Sequence, residues 1–173
     1  MEEISLDYWA GFIDGEGCFM LYKLFDNRYK HYYYQFIIAI KLRDDDLDIL
    51  NKCKKQLGGN IYKYTYKIKE TGKISHGCYW NIQNKKSIDN FIQLMDGRLH
   101  AKKAKDFELF KDAFYYYRNH KNKTDPIFIK KMEEYCSNLK SIKKYNECQV
   151  KILSDDFPID KWIDQGQRKE VRL

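Results

Sequence analysis

The sequence predicts an α+β fold in which one antiparallel sheet has helices along a single face. Two observations carry that prediction. Residues 18–43 and 60–83 each read as two strands of alternating apolar and polar residues joined by turn residues. A helical pattern precedes each strand pair, and further helical patterns follow the second, giving the order α-β-β-α-β-β-α. Hairpins that keep one face polar or basic need cover only on the other face, so the helices belong there.

The elements follow in order. Leu6, Trp9, Ala10 and Ile13 recur at helical spacing over 6–14, and Gly15 and Gly17 are expected to end that helix. Strands are expected near 18–25 and 32–43, with Asp26-Asn27 between them as turn residues. On the second strand, Tyr32, Tyr34, Phe36, Ile38, Ile40 and Leu42 form the row expected to be buried, and Tyr33, Gln35, Ile37, Ala39, Lys41 and Arg43 the outward row. Leu47, Leu50, Cys53 and Leu57 define the next helix. Asp44-Asp45-Asp46 opens it, Lys54 and Lys55 lie near its end, and Gly58-Gly59 stops it. Three adjacent carboxylates at a helix start do not converge on one ion, so capping is the expected role of the Asp run.

Segment 60–69 alternates Tyr62, Tyr64, Tyr66 and Ile68 with Lys63, Thr65, Lys67 and Lys69. The tyrosine row is expected to face the core and the basic row to face outward. Glu70-Thr71-Gly72-Lys73 is a turn, and a strand over 75–83 returns with Cys78, Trp80 and Ile82 inward and Gly77, Tyr79, Asn81 and Gln83 outward. Helices are then marked by Ile88, Phe91, Ile92 and Met95, and by Ala101, Ala104, Phe107, Phe110, Phe114 and Tyr117. Thr124-Asp125-Pro126 opens one more, continued by Ile129, Met132, Cys136 and Leu139. Residues 1–145 are thus expected to form one domain. Residues 146–173 are expected to be a docked segment of that domain, around Phe157-Pro158 and Trp162, with a solvated tail.

Composition narrows the function. With 32 Lys+Arg against 25 Asp+Glu, the net charge is +7 and the pI is near 9.0. This balance points to a polyanionic partner, most often nucleic acid. The 15 tyrosines interleave with basic residues and can meet phosphates or stack on bases. Nine glycines and two prolines exclude collagen-like and low-complexity chains. Hydrophobic residues at 43% suffice for a packed core. No apolar run approaches the ~20 residues of a membrane helix, so no membrane partner is expected. Met1-Glu2-Glu3-Ile4 lacks the apolar region of a signal peptide. Cys18, Cys53, Cys78, Cys136 and Cys148 form no C-x-x-C pair and read as reduced intracellular thiols.

The densest signal is Trp9-Ala10-Gly11-Phe12-Ile13-Asp14-Gly15-Glu16-Gly17. Ala10 and Gly11 are small enough to let another helix approach closely. Asp14 and Glu16 stand among glycines at the helix end, where a carboxylate can reach outward and a nearby carbonyl is free. Hard divalent cations take oxygen ligands of that kind. An ordinary surface helix with two solvated acids is the other reading of the same residues.

This stretch resembles the signature motif of the LAGLIDADG homing endonucleases. Ala10, Gly11, Ile13, Asp14 and Gly17 match the namesake, and Gly15 and Glu16 are substitutions common in the family. The element order is similar too, as is Lys102-Lys103-Ala104-Lys105-Asp106-Phe107-Glu108-Leu109-Phe110 at the start of the later helix. The resemblance covers roughly residues 4–140 and contains one copy of the motif. It implies an αββαββα saddle with a concave sheet facing the DNA major groove and helices on the convex side. It implies a homodimer joined through the motif helix, with Trp9, Ala10, Gly11, Ile13 and Asp14 at the interface and Asp14 capping the partner helix.

By the same resemblance, Glu16 with the Gly15 carbonyl would bind catalytic Mg²⁺ or Mn²⁺. The basic catalytic group would be Lys102 or Lys103; alignment of the downstream apolar residues favours Lys103. Arg43 is a further catalytic candidate at the end of the second strand; the family's polar partner there has no clear equivalent, since Leu42 falls at or near that position. Candidate DNA contacts from the outward rows are Tyr33, Gln35, Lys41, Lys63, Thr65, Lys67, Lys69, Tyr79 and Asn81. On the first strand, parity counted from Glu16 adds Met20, Tyr22 and Leu24, whereas composition alone would choose Lys23. The implied activity is a metal-dependent double-strand cut in a long, near-palindromic DNA target, by an intron-encoded enzyme inside an organelle or a bacterial or phage-infected cell. The alternatives are an RNA-binding intron maturase and a catalytically silent DNA-binding protein on the same scaffold.

Overall fold

A computed structural model describes residues 4–67, 71–142 and 151–152. The order is α1 (Leu6–Glu16), β1 (Gly17–Asp26), β2 (His31–Arg43), α2 (Leu47–Leu57), β3 (Asn60–Lys67), β4 (Ile74–Ile82), α3 (Lys85–Met95), α4 (Ala101–Asn119), α5 (Pro126–Ile142) and β5 (Lys151–Ile152). The sheet runs β1-β2-β4-β3-β5 and is antiparallel throughout. Two hairpins, β1–β2 and β3–β4, are joined by the β2–β4 seam. Residues of 146–173 other than 151–152 lie outside the described residues.

The main core lies between one sheet face and the helices. Phe19 of β1 meets Phe107 and Phe110 of α4 at centroid distances of 5.4 and 5.6 Å. Phe36 of β2 meets Phe110 and Phe114 edge-on at 5.5 and 5.4 Å. Each such pair adds about 0.5–1.5 kcal/mol beyond its area. Trp80 of β4 is fully buried and its indole N–H donates to the Gly58 carbonyl at 2.8 Å, which fixes the α2–β3 turn against the sheet. Gly58 and Gly59 have φ of 79° and 88°, so that turn requires glycine. Three helix starts are capped: Ser5 Oγ accepts from Tyr8 N–H, Asn84 Oδ1 from Ser87 N–H, and Asp125 Oδ1 from Ile127 N–H.

Several sequence-based expectations change. Helix α1 runs through Gly15 and ends only at Glu16. Asp44–Asp46 forms a single 3-10 turn, and no Asp side chain caps α2, so the run contributes charge at a helix start but no capping bond. Tyr32 is on the expected face but at the strand end, where it is 60% exposed beside Lys23 and Phe25. The largest change is on β3. Tyr62 pairs with Tyr79 and Tyr64 with Gly77, and paired residues share a face. Tyr62 and Tyr64 therefore lie on the helix-free face, packed with Ile37, Ala39 and Tyr79, while Ile61 joins the main core. Lys63 and Thr65 lie on the opposite face, and Thr65 Oγ1 bonds His76 Nδ1 at 3.1 Å. Register with β4 sets this parity, and tyrosine, being amphipathic, does not reveal it. Lys67 is described by its backbone pairing with Ile74, and Lys69 lies outside the described residues.

Candidate functional site

The site is built at the joint between α1 and β1. Glu16 is the last residue of the helix and Gly17 the first of the strand. A Cβ on Gly17 would fall 2.5 Å from the Ile13 carbonyl oxygen and 2.7 Å from Ile13 Cγ2. Only glycine lets the strand leave the helix so abruptly, and that exit leaves Glu16 and Gly15 exposed. Gly17→Ala is expected to destabilise the fold by about 1–3 kcal/mol, because the obstruction includes backbone. Urea unfolding monitored by tryptophan fluorescence would show it as a lower midpoint at unchanged slope.

Helix α4 holds this joint from behind. The Lys103 ammonium donates to the Gly17 carbonyl, whereas Lys102 is exposed. Asp14 Oδ2 accepts from the His100 N–H at 2.8 Å, at the start of α4. The helix start that Asp14 is seen to hold is therefore the chain's own. Of the two candidate lysines, Lys103 is the one bonded at the joint, to the residue after Glu16.

The helix-free face extends from Glu16. Gly17 pairs with Ile40, so the β1–β2 ladder begins at the residue after Glu16. Lys41 pairs with Tyr79, and Tyr79 with Tyr62, so one row reads Lys41, Tyr79, Tyr62. The Lys41 ammonium lies 5.5 Å from the Tyr79 ring centroid. Arg43 is on the same face one row on, exposed, and paired with Asp45 at 3.0 Å. In the other direction come Cys18, Met20, Tyr22 and Leu24 of β1, with Ala39, Ile37, Gln35 and Tyr33 of β2 opposite or alongside. The parity counted from Glu16 holds. Lys23 is on the helix side, where it pairs with Glu133 of α5 at 2.5 Å. Asn81 is on the helix-free face but only 1% exposed.

This face is more apolar than expected. Ile37, Ala39 and Tyr79 are buried in it, with Met20, Tyr22, Tyr62 and Tyr64 packed around them. Burial, reinforced by nearby Cys18, pushes the Tyr22 phenol up to about 12. Burial also raises the Tyr79 phenol, against an opposing effect of the Asn81 amide, and raises that of Tyr64. These phenols stay neutral at physiological pH. Tyr62, Tyr64 and Tyr66, which the sequence pattern places toward the core, are members of this face, and Gln83, outward as expected, joins it through Gln35.

Helix α1 divides its residues differently from the expectation. Trp9, Ala10 and Ile13 are 0%, 3% and 0% exposed, buried in the chain's own core. Tyr8, Gly11 and Gly15 are exposed and Phe12 is half-buried, making an outward stripe at i, i+3, i+4, i+7. Tyr8 and Phe12 stack along it at 6.2 Å, and a Cβ at Gly11 or Gly15 would meet nothing within 4 Å.

The sequence profile described as LAGLIDADG endonuclease matches residues 9–114. The chain belongs to the LAGLIDADG endonuclease family. A probable intron-encoded endonuclease aI3 of Kluyveromyces lactis is 28% identical over 153 residues, 84% of this chain and 35% of that protein. The LAGLIDADG meganuclease I-AabMI, bound to uncleaved DNA, superposes with a TM-score of 0.61 at 26% identity, over 79% of this chain and 45% of that one. The homing endonuclease I-CvuI, with its target in the presence of calcium, has the same fold at a TM-score of 0.64 and 17% identity, over 82% of this chain and 83% of that one. The chain thus spans about a third of the Kluyveromyces relative and less than half of I-AabMI.

LAGLIDADG endonucleases depend on divalent metal, and the residues here fit a hard cation. Glu16 offers an exposed carboxylate and Gly15 lies in open space beside it. Among the described residues no group of three His, Cys, Asp or Glu side chains could hold an ion by itself. One carboxylate and one carbonyl leave most positions open for water and phosphate oxygens, as Mg²⁺ prefers. Asp14 Oδ1 is buried without a hydrogen-bond partner, but its other oxygen is committed to α4.

Proposed function

We propose that this chain is a homing endonuclease that acts as a homodimer and cuts both strands of a long, near-palindromic DNA duplex in the presence of Mg²⁺ or Mn²⁺. The observation that supports this reading above all is the position of Glu16, exposed at the end of α1 where the helix-free sheet face begins, with Lys103 bonded to the carbonyl of the next residue, Gly17. In this reading the duplex lies along the helix-free face. Glu16 and the Gly15 carbonyl hold the metal, which supplies a more acidic bound water and charge stabilisation on the phosphate. Lys103 holds the joint through Gly17 and adds positive charge behind the scissile group, while Lys41 and Arg43 meet backbone phosphate from the sheet. The matched proteins, a probable intron-encoded endonuclease and two nucleases bound to DNA, support the substrate class.

The dimer would form through Tyr8, Gly11, Phe12 and Gly15. Two small residues one turn apart permit close helix crossing, and a twofold there brings both Glu16 carboxylates near the axis, one for each strand. Gly11→Leu should convert the dimer to a monomer at micromolar concentration and abolish double-strand cutting. Sedimentation velocity measures the first effect, and an unchanged thermal melt shows that the monomer is folded.

The function is tested by incubating the protein with Mg²⁺ and an intronless copy of the locus that hosts its gene, then mapping the cut ends. Paired nicks leaving short 3′ overhangs support the reading. Salt-dependent duplex binding with no cutting in Mg²⁺ or Mn²⁺ would make it a silent DNA-binding protein. Preferential binding of the unspliced intron RNA would favour the maturase reading, for which Tyr62, Tyr64 and Tyr66 on the helix-free face supply stacking surface.

A further inference from the structure

We infer that the helix-free face beyond Glu16 recognises thymine methyl groups, so the base pairs it covers are A·T pairs that present thymine to this chain. The inference rests on the duplex-cleaving reading above and specifies what that site selects.

The side chains on this part of the face have little hydrogen-bonding capacity left to offer a base edge. Cys18, Met20 and Tyr22 of β1 stand beside Ala39 and Ile37 of β2, with Tyr79 of β4 one row nearer to Glu16. The Tyr22 hydroxyl donates to Met20 Sδ at 3.1 Å. At the border, the Gln35 amide donates to Gln83 Oε1 at 3.2 Å. Asn81 is 1% exposed, and its Nδ2 and the Gln35 Oε1, both without a hydrogen-bond partner, are buried away from the open side. What remains toward the open side is a thioether and aromatic ring surface.

Both kinds of pair show polar edge groups in the major groove, G·C through N7, O6 and N4 and A·T through N7, N6 and O4, so an apolar patch penalises the two alike on that score. The thymine C5-methyl is the apolar group in that groove, and it fits a patch of Met and Tyr. The charged groups on the face, Lys41 and Arg43, sit at the Glu16 end and suit a phosphate backbone running past the patch. A neutral peptide would gain nothing from that basic margin, whereas a duplex uses both the basic margin and the apolar patch.

A randomised duplex pool is selected by binding in Ca²⁺, and the recovered half-sites are resynthesised with deoxyuridine in place of thymidine, which removes only the methyl. Runs of two or three A·T pairs should be recovered over the patch, and each methyl removed should weaken binding about fourfold. Met20→Gln should bring the thymidine-to-deoxyuridine ratio toward one at a single position while the protein still binds duplex. Half-sites rich in G·C at these positions, or equal binding of the thymidine and deoxyuridine duplexes, would overturn the inference and leave the nuclease reading standing. A pool from which no duplex is retained would overturn both. A dimer that dissociates on Met20→Gln, with the thymidine-to-deoxyuridine ratio unchanged, would assign the patch to a second copy of the chain instead.

Discussion

Glu16→Gln should abolish double-strand cleavage, by at least about 10³-fold, while target affinity changes by no more than a few fold. The amide has nearly the shape of the carboxylate, and residue 16 is exposed at the end of α1, so the fold loses nothing. What disappears is the charge. A hard cation binds an amide oxygen far more weakly than a carboxylate, and the charge stabilisation and activated water it supplies are lost with it. Losses of this size already follow removal of a single electrostatic contact in a preorganised site. Most of the binding comes from the sheet face and from phosphate contacts that the substitution does not touch. Cleavage in Mg²⁺ and gel-shift affinity in Ca²⁺, measured on the same preparation, separate the two. A folded Glu16→Gln dimer that no longer binds the duplex would show that Glu16 does not have the assigned role.

Trp9→Ala should lower stability by about 3–5 kcal/mol, independent of protein concentration. Trp9 is fully buried within one chain, and its indole N–H donates to Gln56 Oε1 at 2.9 Å. The Gln56 amide in turn donates to the Ile4 carbonyl at 2.6 Å, so the ring anchors α2 to the segment leading into α1. Truncation leaves a cavity and an unsatisfied acceptor. The expected fall in Tm is on the order of 10 °C for a chain of this length. Were Trp9 an interface residue, the loss would shrink as concentration rises. Gly11→Leu and Trp9→Ala, two positions apart on one helix, should therefore fail in opposite ways: a folded monomer in one case, a weakened fold in the other.

The contrast between these two variants shows where the sequence was readable. A 3.6-residue period identifies the apolar side of α1, but nearly every residue there is apolar or small. The period cannot say which side meets the chain's own core and which is free for a second copy. The motif resemblance places Trp9, Ala10 and Ile13 at an interface, and the structure buries all three in the chain's own core. On β1, parity counted from Glu16 held because a helix-to-strand joint with no intervening loop fixes the register. On β2 and β4 the inward rows, Phe36-Ile38-Ile40 and Cys78-Trp80-Ile82, are aliphatic or bulky enough to need no other clue. On β3 the choice lay between tyrosines and lysines, and the decisive residue was Ile61, one isolated aliphatic at the start of the strand. Tyrosine suits a core and an exposed recognition surface equally well, so its alternation reveals a strand but not its orientation. The choice between Lys102 and Lys103 likewise turned on the helix phase of α4, which places Lys103 at the Gly17 carbonyl.

The β2–β4 seam has a kinetic consequence. Each hairpin closes over a short turn, but the seam pairs Arg43 with Gly77 and Ile38 with Ile82, across the whole of α2 and β3. Bringing such distant partners together costs loop-closure entropy before any contact repays it, so this pairing forms late relative to the hairpins. Lys41 belongs to one hairpin, which Glu16 leads into, and Tyr79 and Tyr62 to the other. A nascent chain can thus have both hairpins formed and still lack the Lys41–Tyr79–Tyr62 row. On the proposed function, nuclease competence would then be acquired in one of the last steps of folding, after most of the secondary structure is in place.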